Sequence, residues 1–389
     1  MPPPSATSAN DLERYAVMLR DSRRLRGTSL AREAWRRLLR QWTAVVSLAF
    51  LTGVILLAIF TPLLPLQPPR SVSLPRQYLS PQVGLDYPLW IAVPDLPESL
   101  DAAEAEKLLA DGFGAPLSDQ AGLGGDALDP FSHWLLRQRV VLFGNSAWNS
   151  FCGTDSQGRD LLSRICWGAR VSLAVAAVAA SVSLVIGVLY GAIAGYCGGR
   201  IDNLLMRIVD VLYSIPIIFV AIFLITILDA KNYAEELAAW GIGRMTIFFV
   251  VIGALYWLTM ARVVRGQVLS LKQNQFVEAA RAMGAGPARI IWRHLVPNVI
   301  SVVIVYLTLT IPSIMLTEAF LSFLGLGVRA PDVSWGLLAN EGVRVITPIK
   351  TYWWLIVFPS LAMGLTLYSL NFLGDGLRDA LDPRLKRRS

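Results

Sequence analysis

Glu278-Ala279-Ala280-Arg281-Ala282-Met283-Gly284, followed thirteen residues later by Pro297, lies between two long apolar runs near 246–270 and 298–324. Alanine is the best helix former, glycine admits backbone conformations closed to other residues, and proline interrupts a helix interior. The stretch therefore reads as a short helix, a bend and a second helix. Phe276, Val277, Ala280 and Met283 offer an apolar face, and Arg281 and Arg289 offer positive charge. A bent, basic, water-facing loop of this kind is shaped to be gripped by another protein and to act as a lever.

The flanking runs set the fold. Six apolar runs, near 42–64, 169–196, 204–228, 246–270, 298–324 and 352–374, are each long enough to cross a bilayer core of roughly 30 Å as a helix. The composition agrees: 54% of residues are hydrophobic, 16% are charged, and mean hydropathy is +0.51. Soluble domains carry about a quarter charged residues. Strands of a membrane barrel would be about ten residues of alternating polarity, whereas these runs are longer and continuous. The expected class is an all-α polytopic membrane protein with six transmembrane helices. The first run follows a long polar segment and lacks a small-residue cleavage site, so it reads as a span and not as a cleaved leader.

Basic residues set the orientation. Arg14, Arg20, Arg23, Arg24, Arg26, Arg32, Arg36, Arg37 and Arg40 precede the first run. Lys272, Arg281, Arg289 and Arg293 lie in the 271–297 loop, and Arg384, Lys386, Arg387 and Arg388 close the chain. Six crossings put all three groups on one side, expected to be the cytoplasm, with both termini inside. The divisions are then a basic segment 1–41, a first span 42–64, an outer insert 65–168, a transmembrane domain 169–375 and a basic tail 376–389. The net charge of +7 suits this topology and anionic lipid, with no need of a nucleic acid.

Smaller signals follow along the chain. Residues 20–40 read as a basic helix on the membrane surface, after a Pro/Ser-rich start at 1–10 expected to be disordered. The outer insert suggests a helix over 101–110, a Gly-rich turn at 122–125, and a small cap built on Trp90, Phe131, Trp134 and Phe143. Gly153-Thr154-Asp155-Ser156-Gln157-Gly158-Arg159-Asp160 reads as a tight turn with a helix cap, in which Asp155, Arg159 and Asp160 can form a local charge network. Cys152 and Cys166 both fall outside, either bridged or as two unpaired small residues.

Asp210 and Glu318 stand in otherwise apolar runs. Such residues face a bundle interior or a wet cavity, and they read either as path-lining or gating groups or as hydrogen-bonded structural ones. Pro216 and Pro312 can kink their spans. Small residues in the second run, Gly187, Gly191 and Gly195 among them, allow close helix packing. No phosphate-binding G-x-x-x-x-G-K-[ST] stretch occurs, and neither His133 nor His294 has metal-ligand spacing to other donors. No nucleophile–base pattern points to catalysis.

Glu278, Ala279, Ala280, Gly284 and Pro297 resemble the cytoplasmic signature of bacterial ABC importer permeases, with His294 and Val296 replacing its Ile and Leu. Gly153 to Asp160, the Leu-Leu-Ser-Arg164 that follows, Leu321-Ser-Phe-Leu-Gly-Leu-Gly327, Ser334-Trp-Gly336 and the ending from Gly374 to Arg384 are similar to the C-type permease of dipeptide and oligopeptide importers. The resemblance implies the type I ABC importer permease fold, a B-type permease partner, two ABC ATPases and an extracytoplasmic solute-binding protein. It implies no cofactor on this chain, since ATP with Mg would be hydrolysed by the partners. Glu278, Ala279, Ala280, Arg281, Met283, Gly284 and Pro297 would be the ATPase-coupling residues. Asp155, Arg159, Asp160, Asp210 and Glu318 are structural or gating candidates. The cargo would be peptides, or alternatively a nickel chelate or peptide-like antibiotic. An ion-gradient transporter is the competing class, and it would call for carboxylate relays or inverted repeats. The outer insert is longer than in compact members and is expected to cap the outer mouth or meet the binding protein.

Overall fold

A computed structural model describes residues 30–83, 87–93, 130–144, 146–230, 244–328 and 332–381. The described chain is almost wholly helical. It runs α1 (Leu30–Leu38), α2 (Trp42–Phe60), β1 (Trp90–Ala92), α3 (Pro130–Phe143), β2 (Ser146–Trp148), α4 (Leu161–Cys197), α5 (Gly199–Ser214) and α6 (Ile217–Ala230). It continues through α7 (Arg244–Leu271), α8 (Gln275–Ala282), α9 (Pro287–Phe323), α10 (Trp335–Arg344) and α11 (Trp354–Leu381). Five of these helices are long and apolar enough to cross a membrane, and six crossings result if the bent pair α5–α6 counts as one.

That pair covers the third run, 204–228, and it is kinked at Pro216, one of the two prolines read as able to kink their spans. α5 and α6 meet at 84°. Pro216 is the cause: the residue before a proline is driven out of the helical region, and Ile215 has φ −91° and ψ 126°. Pro312 behaves otherwise and sits inside the uninterrupted α9. The second span is also longer than the apolar run suggests. α4 begins at Leu161, eight residues before 169, because Asp160 caps it by accepting a hydrogen bond from the Ser163 amide at 2.7 Å.

α4 and α7 form the centre of the bundle. Gly187, Gly191 and Gly195 recur every four residues and so share one face of α4. That face meets Met260, Ala261, Val264 and Val268, with the Ala261 carbonyl only 2.4 Å from where a Cβ on Gly191 would lie. Without hydrophobic expulsion from water inside a bilayer, close backbone approach of this kind supplies much of the packing.

The described part of the insert 65–168 is folded. β1 and β2 pair antiparallel with Trp90 opposite Trp148, and Leu136 and Ala147 are buried against Val93. Trp90 stacks on Phe143 at 5.9 Å, and Phe131 on Trp134 at 6.0 Å. Arg139 of α3 is buried and donates to the carbonyls of Leu64 and Leu66, and burial lowers its pKa to about 10. The helix expected at 101–110, the turn at 122–125, the segment 1–29 and the tail beyond 381 lie outside the described residues. Cys152 and Cys166 are free thiols. α1 packs on α11 through Ala34, Leu38, Leu373, Leu377 and Ala380, so the described end of the basic segment is held by protein.

Candidate coupling loop and ion network

The 271–297 loop contains α8, a turn, and the start of α9. Met283 caps α8, and Gly284 follows with φ 81°, the left-handed conformation that ends helices and that glycine adopts without a Cβ penalty. The Ala285 amide closes the turn on the Ala280 carbonyl at 3.0 Å. Pro297 does not mark the bend. It lies in the first turn after a π-helical segment, Ile291–Leu295, within the continuous run of α9.

The apolar face expected for docking is split. Val277 and Ala280, three apart, are buried at 0% and 2% and pack with Ile290, Leu295 and Val268. Phe276 remains 39% exposed and Met283 82% exposed, while Glu278, Ala279, Arg281 and Ala282 also face outward. The Arg281 guanidinium lies 5.4 Å over the Tyr196 ring, which orients it beside the foot of α4. Two inward residues thus fix the helix to the bundle, and the outward set presents two apolar side chains flanked by one acid and one base.

On the other face of the bundle, Asp155 accepts from the Gln157 and Arg159 amides, from Arg159 Nε at 2.7 Å and from Arg164 Nη1 at 2.6 Å. Arg164 is 1% exposed and also forks onto Glu341 of α10, at 2.5 Å and 3.1 Å. Arg159 lies 3.6 Å from the same carboxylate. The network therefore includes Arg164 and Glu341, which sequence reasoning left out, and Asp160 takes the separate part of helix cap. Burial raises the Asp160 pKa to about 6, against the opposing help of the Ser163 amide, the Ser150 hydroxyl and Arg76. α10 is tied to α4 twice more, by the Trp335 amide to Ser172 Oγ and by Trp335 Nε1 to the Ile165 carbonyl. Thr154 closes the turn from the other side through the Arg76 carbonyl and the Leu79 amide.

The two carboxylates expected inside the spans have local partners. Asp210 of α5 pairs with Arg262 of α7 at 2.7 Å, and Arg262 also lies 4.3 Å over Tyr213. α5 is amphipathic, and its Asp202 holds Arg265 in a two-pronged contact at 2.5 and 2.7 Å. Glu318 is 2% exposed and accepts from the Ser322 hydroxyl at 2.7 Å, whose oxygen in turn receives the Val328 amide. These contacts fasten the loop after α9 back onto the helix end.

Comparison with known proteins places this architecture. Residues 187–387 match the family model described as the binding-protein-dependent transport system inner membrane component. Residues 29–81 match the N-terminal TM domain of oligopeptide transport permease C. The chain is 46% identical over 235 residues to the dipeptide transport system permease protein DppC of Bacillus subtilis, covering 60% of this chain and 69% of that protein. It is 45% identical over 234 residues to the oligopeptide transport system permease protein OppC of Haemophilus influenzae, and 46% identical over 234 to that of Escherichia coli K12. Those matches cover 60% of this chain and 70% and 72% of the relatives. A solved chain of the MetNI methionine ABC transporter covers 56% of this chain and 96% of its own at 18% identity. Its TM-score of 0.41 is too low to support a comparison in detail. With more than half its length matched, the chain belongs to the inner-membrane components of binding-protein-dependent transport systems, in the branch of the C-type dipeptide and oligopeptide permeases.

Proposed function

We propose that this chain forms half of the translocation path of an ATP-driven peptide importer and performs no catalysis itself. A B-type permease completes the path, two ABC ATPases hydrolyse ATP with Mg, and a solute-binding protein delivers peptide outside. Both termini lie in the cytoplasm, and the insert 65–168 caps the outer mouth or receives the binding protein. The observation that carries the reading is the outward surface of α8. Phe276, Glu278, Ala279, Arg281 and Met283 project from a helix whose other face is locked into the bundle.

An ATPase gripping that surface moves α8, and Val277 and Ala280 pass the displacement to α4 and α9 without slack, because packed interiors shift as units. The buried ion network at Arg164 is where motion would reach the outer end of α4 and its contact with α10. The test is co-purification with neighbouring gene products, followed by ATPase activity stimulated by the binding protein. Gly284→Arg is expected to abolish stimulation while leaving the chain folded. Full stimulation in that variant would overturn the lever.

A further inference from the structure

α1 and the turn that closes it, Leu39–Arg40, carry three stripes side by side. Ala34 and Leu38 pack on Leu373, Leu377 and Ala380 of α11. One residue further round, at the same four-residue spacing, Trp35 and Leu39 are 52% and 48% exposed. One residue beyond that, Arg36 and Arg40 are exposed. The helix sits at the foot of two spans. A Cβ on Gly376 would lie 2.7 Å from Ala44 of α2, and Gln41, in extended conformation between α1 and α2, reaches Asp379 at 3.5 Å. Trp42, the first residue of α2, is 76% exposed, and above it Val46, Ile55, Leu56 and Ile59 continue an exposed apolar face.

We propose that α1 docks on the anionic headgroup layer of the membrane, with Trp35, Leu39 and Trp42 at the acyl boundary and Arg36 and Arg40 on lipid phosphates. Two observations choose this occupant. The exposed apolar residues Trp35 and Leu39 lead within three residues into a membrane-crossing helix whose first residue, Trp42, is itself exposed, and tryptophan concentrates where hydrocarbon meets headgroup. The adjoining stripe is cationic, which complements anionic lipid, and free phosphate would have no use for the apolar stripe beside it. Because Ala34 and Leu38 bind α11, lipid held by α1 braces the last turns of the C-terminal helix. The inference rests on the reading that α2 begins at the cytoplasmic face.

The purified full chain, with its co-expressed partners, is titrated in detergent with phosphatidylglycerol or with phosphatidylcholine, and its thermal unfolding midpoint is followed. Phosphatidylglycerol is expected to raise the midpoint and phosphatidylcholine is not. In Arg36→Gln/Arg40→Gln the half-saturating phosphatidylglycerol concentration is expected to rise on the order of thirtyfold. Trp35→Ser/Leu39→Ser is expected to weaken the same response. Equal response in the arginine variant, or equal action of the two lipids, overturns the proposal. Loss of a co-purifying ATPase with an unchanged lipid response assigns the face to a protein and also overturns it. A wild-type chain that purifies with no ATPase counts against the importer reading alone, since the lipid titration is decided on the chain itself.

Discussion

Replacing Arg164 by Met keeps much of the side-chain volume and deletes the charge that two carboxylates share. Arg164 is 1% exposed, Asp155 5% and Glu341 31%. In the variant, Asp155 keeps Arg159 at 2.7 Å, but Glu341 is left with the 3.6 Å contact to the same Arg159, and the two acids compete for one cation. Breaking a buried pair by removing one partner costs about 3–5 kcal/mol. Glu341 can turn toward solvent, so the lower end applies, about 3 kcal/mol. Glu341→Gln alone loses a partly exposed charge pair and should cost about 1 kcal/mol. In the Arg164→Met background, Glu341→Gln relieves the competition and should cost nothing or stabilise. The expected coupling is therefore on the order of 1–2 kcal/mol. The assay is reversible unfolding in mixed micelles by increasing dodecyl sulfate fraction, followed by far-UV circular dichroism. Strictly additive single effects, or a cost under about 0.5 kcal/mol for Arg164→Met, would refute the claim that Arg164 joins α4 to α10.

Gly191→Val drives a Cβ to 2.4 Å from the Ala261 carbonyl and should cost at least about 2 kcal/mol in the same unfolding assay, whereas Gly266→Ala, with nothing within 4 Å, should change stability by under about 0.5 kcal/mol. Asp160 has a native pKa of about 6 against an ordinary 3.8. The folded state therefore binds the extra proton between those values, and the contribution of Asp160 to stability is highest below pH 4 and declines until about pH 6, by on the order of 3 kcal/mol. Asp160→Asn, which still caps α4, should flatten that slope in unfolding measured across pH 4–6.5, and an unchanged slope would assign it to another group. Val277→Asp should prevent stable folding, because it buries a charge among Ile290, Leu295 and Val268. Met283→Asp should fold normally and reduce co-purification of an ATPase.

The bundle was legible because its signals are local. Continuous apolar runs, the Gly187–Gly191–Gly195 ladder and the Gly284 turn each act within a few residues, and each appears where the pattern places it. The break at Pro216 was visible as a proline yet hidden inside an apolar run, since hydropathy does not record direction. Which side of α8 faces the bundle could not be read either. The spacing of Val277 and Ala280 puts them on one face, but only the presence of Ile290 and Leu295 behind it decides that this face is inward. Arg164 was part of a recognised stretch, and its partner Glu341 lies 177 residues away, five residues beyond the Ser334-Trp-Gly336 stretch and outside any recognised motif. Contacts of that separation are fixed by how α4 and α10 pack, which no local pattern carries.

The central claim is that α8 is the contact through which an ATPase drives this chain. Met283 is 82% exposed and Val277 is fully buried on the same short helix, which makes them a matched pair of reporters. With Cys197 replaced by Ser, Met283→Cys and Val277→Cys are each treated, in the assembled complex, with a short bifunctional thiol–amine crosslinker. The account predicts that Met283→Cys joins to the ATPase subunit, that nucleotide changes the yield, and that Val277→Cys does not react. An assembled complex with stimulated ATPase activity, in which Met283→Cys never reaches the ATPase, would contradict it.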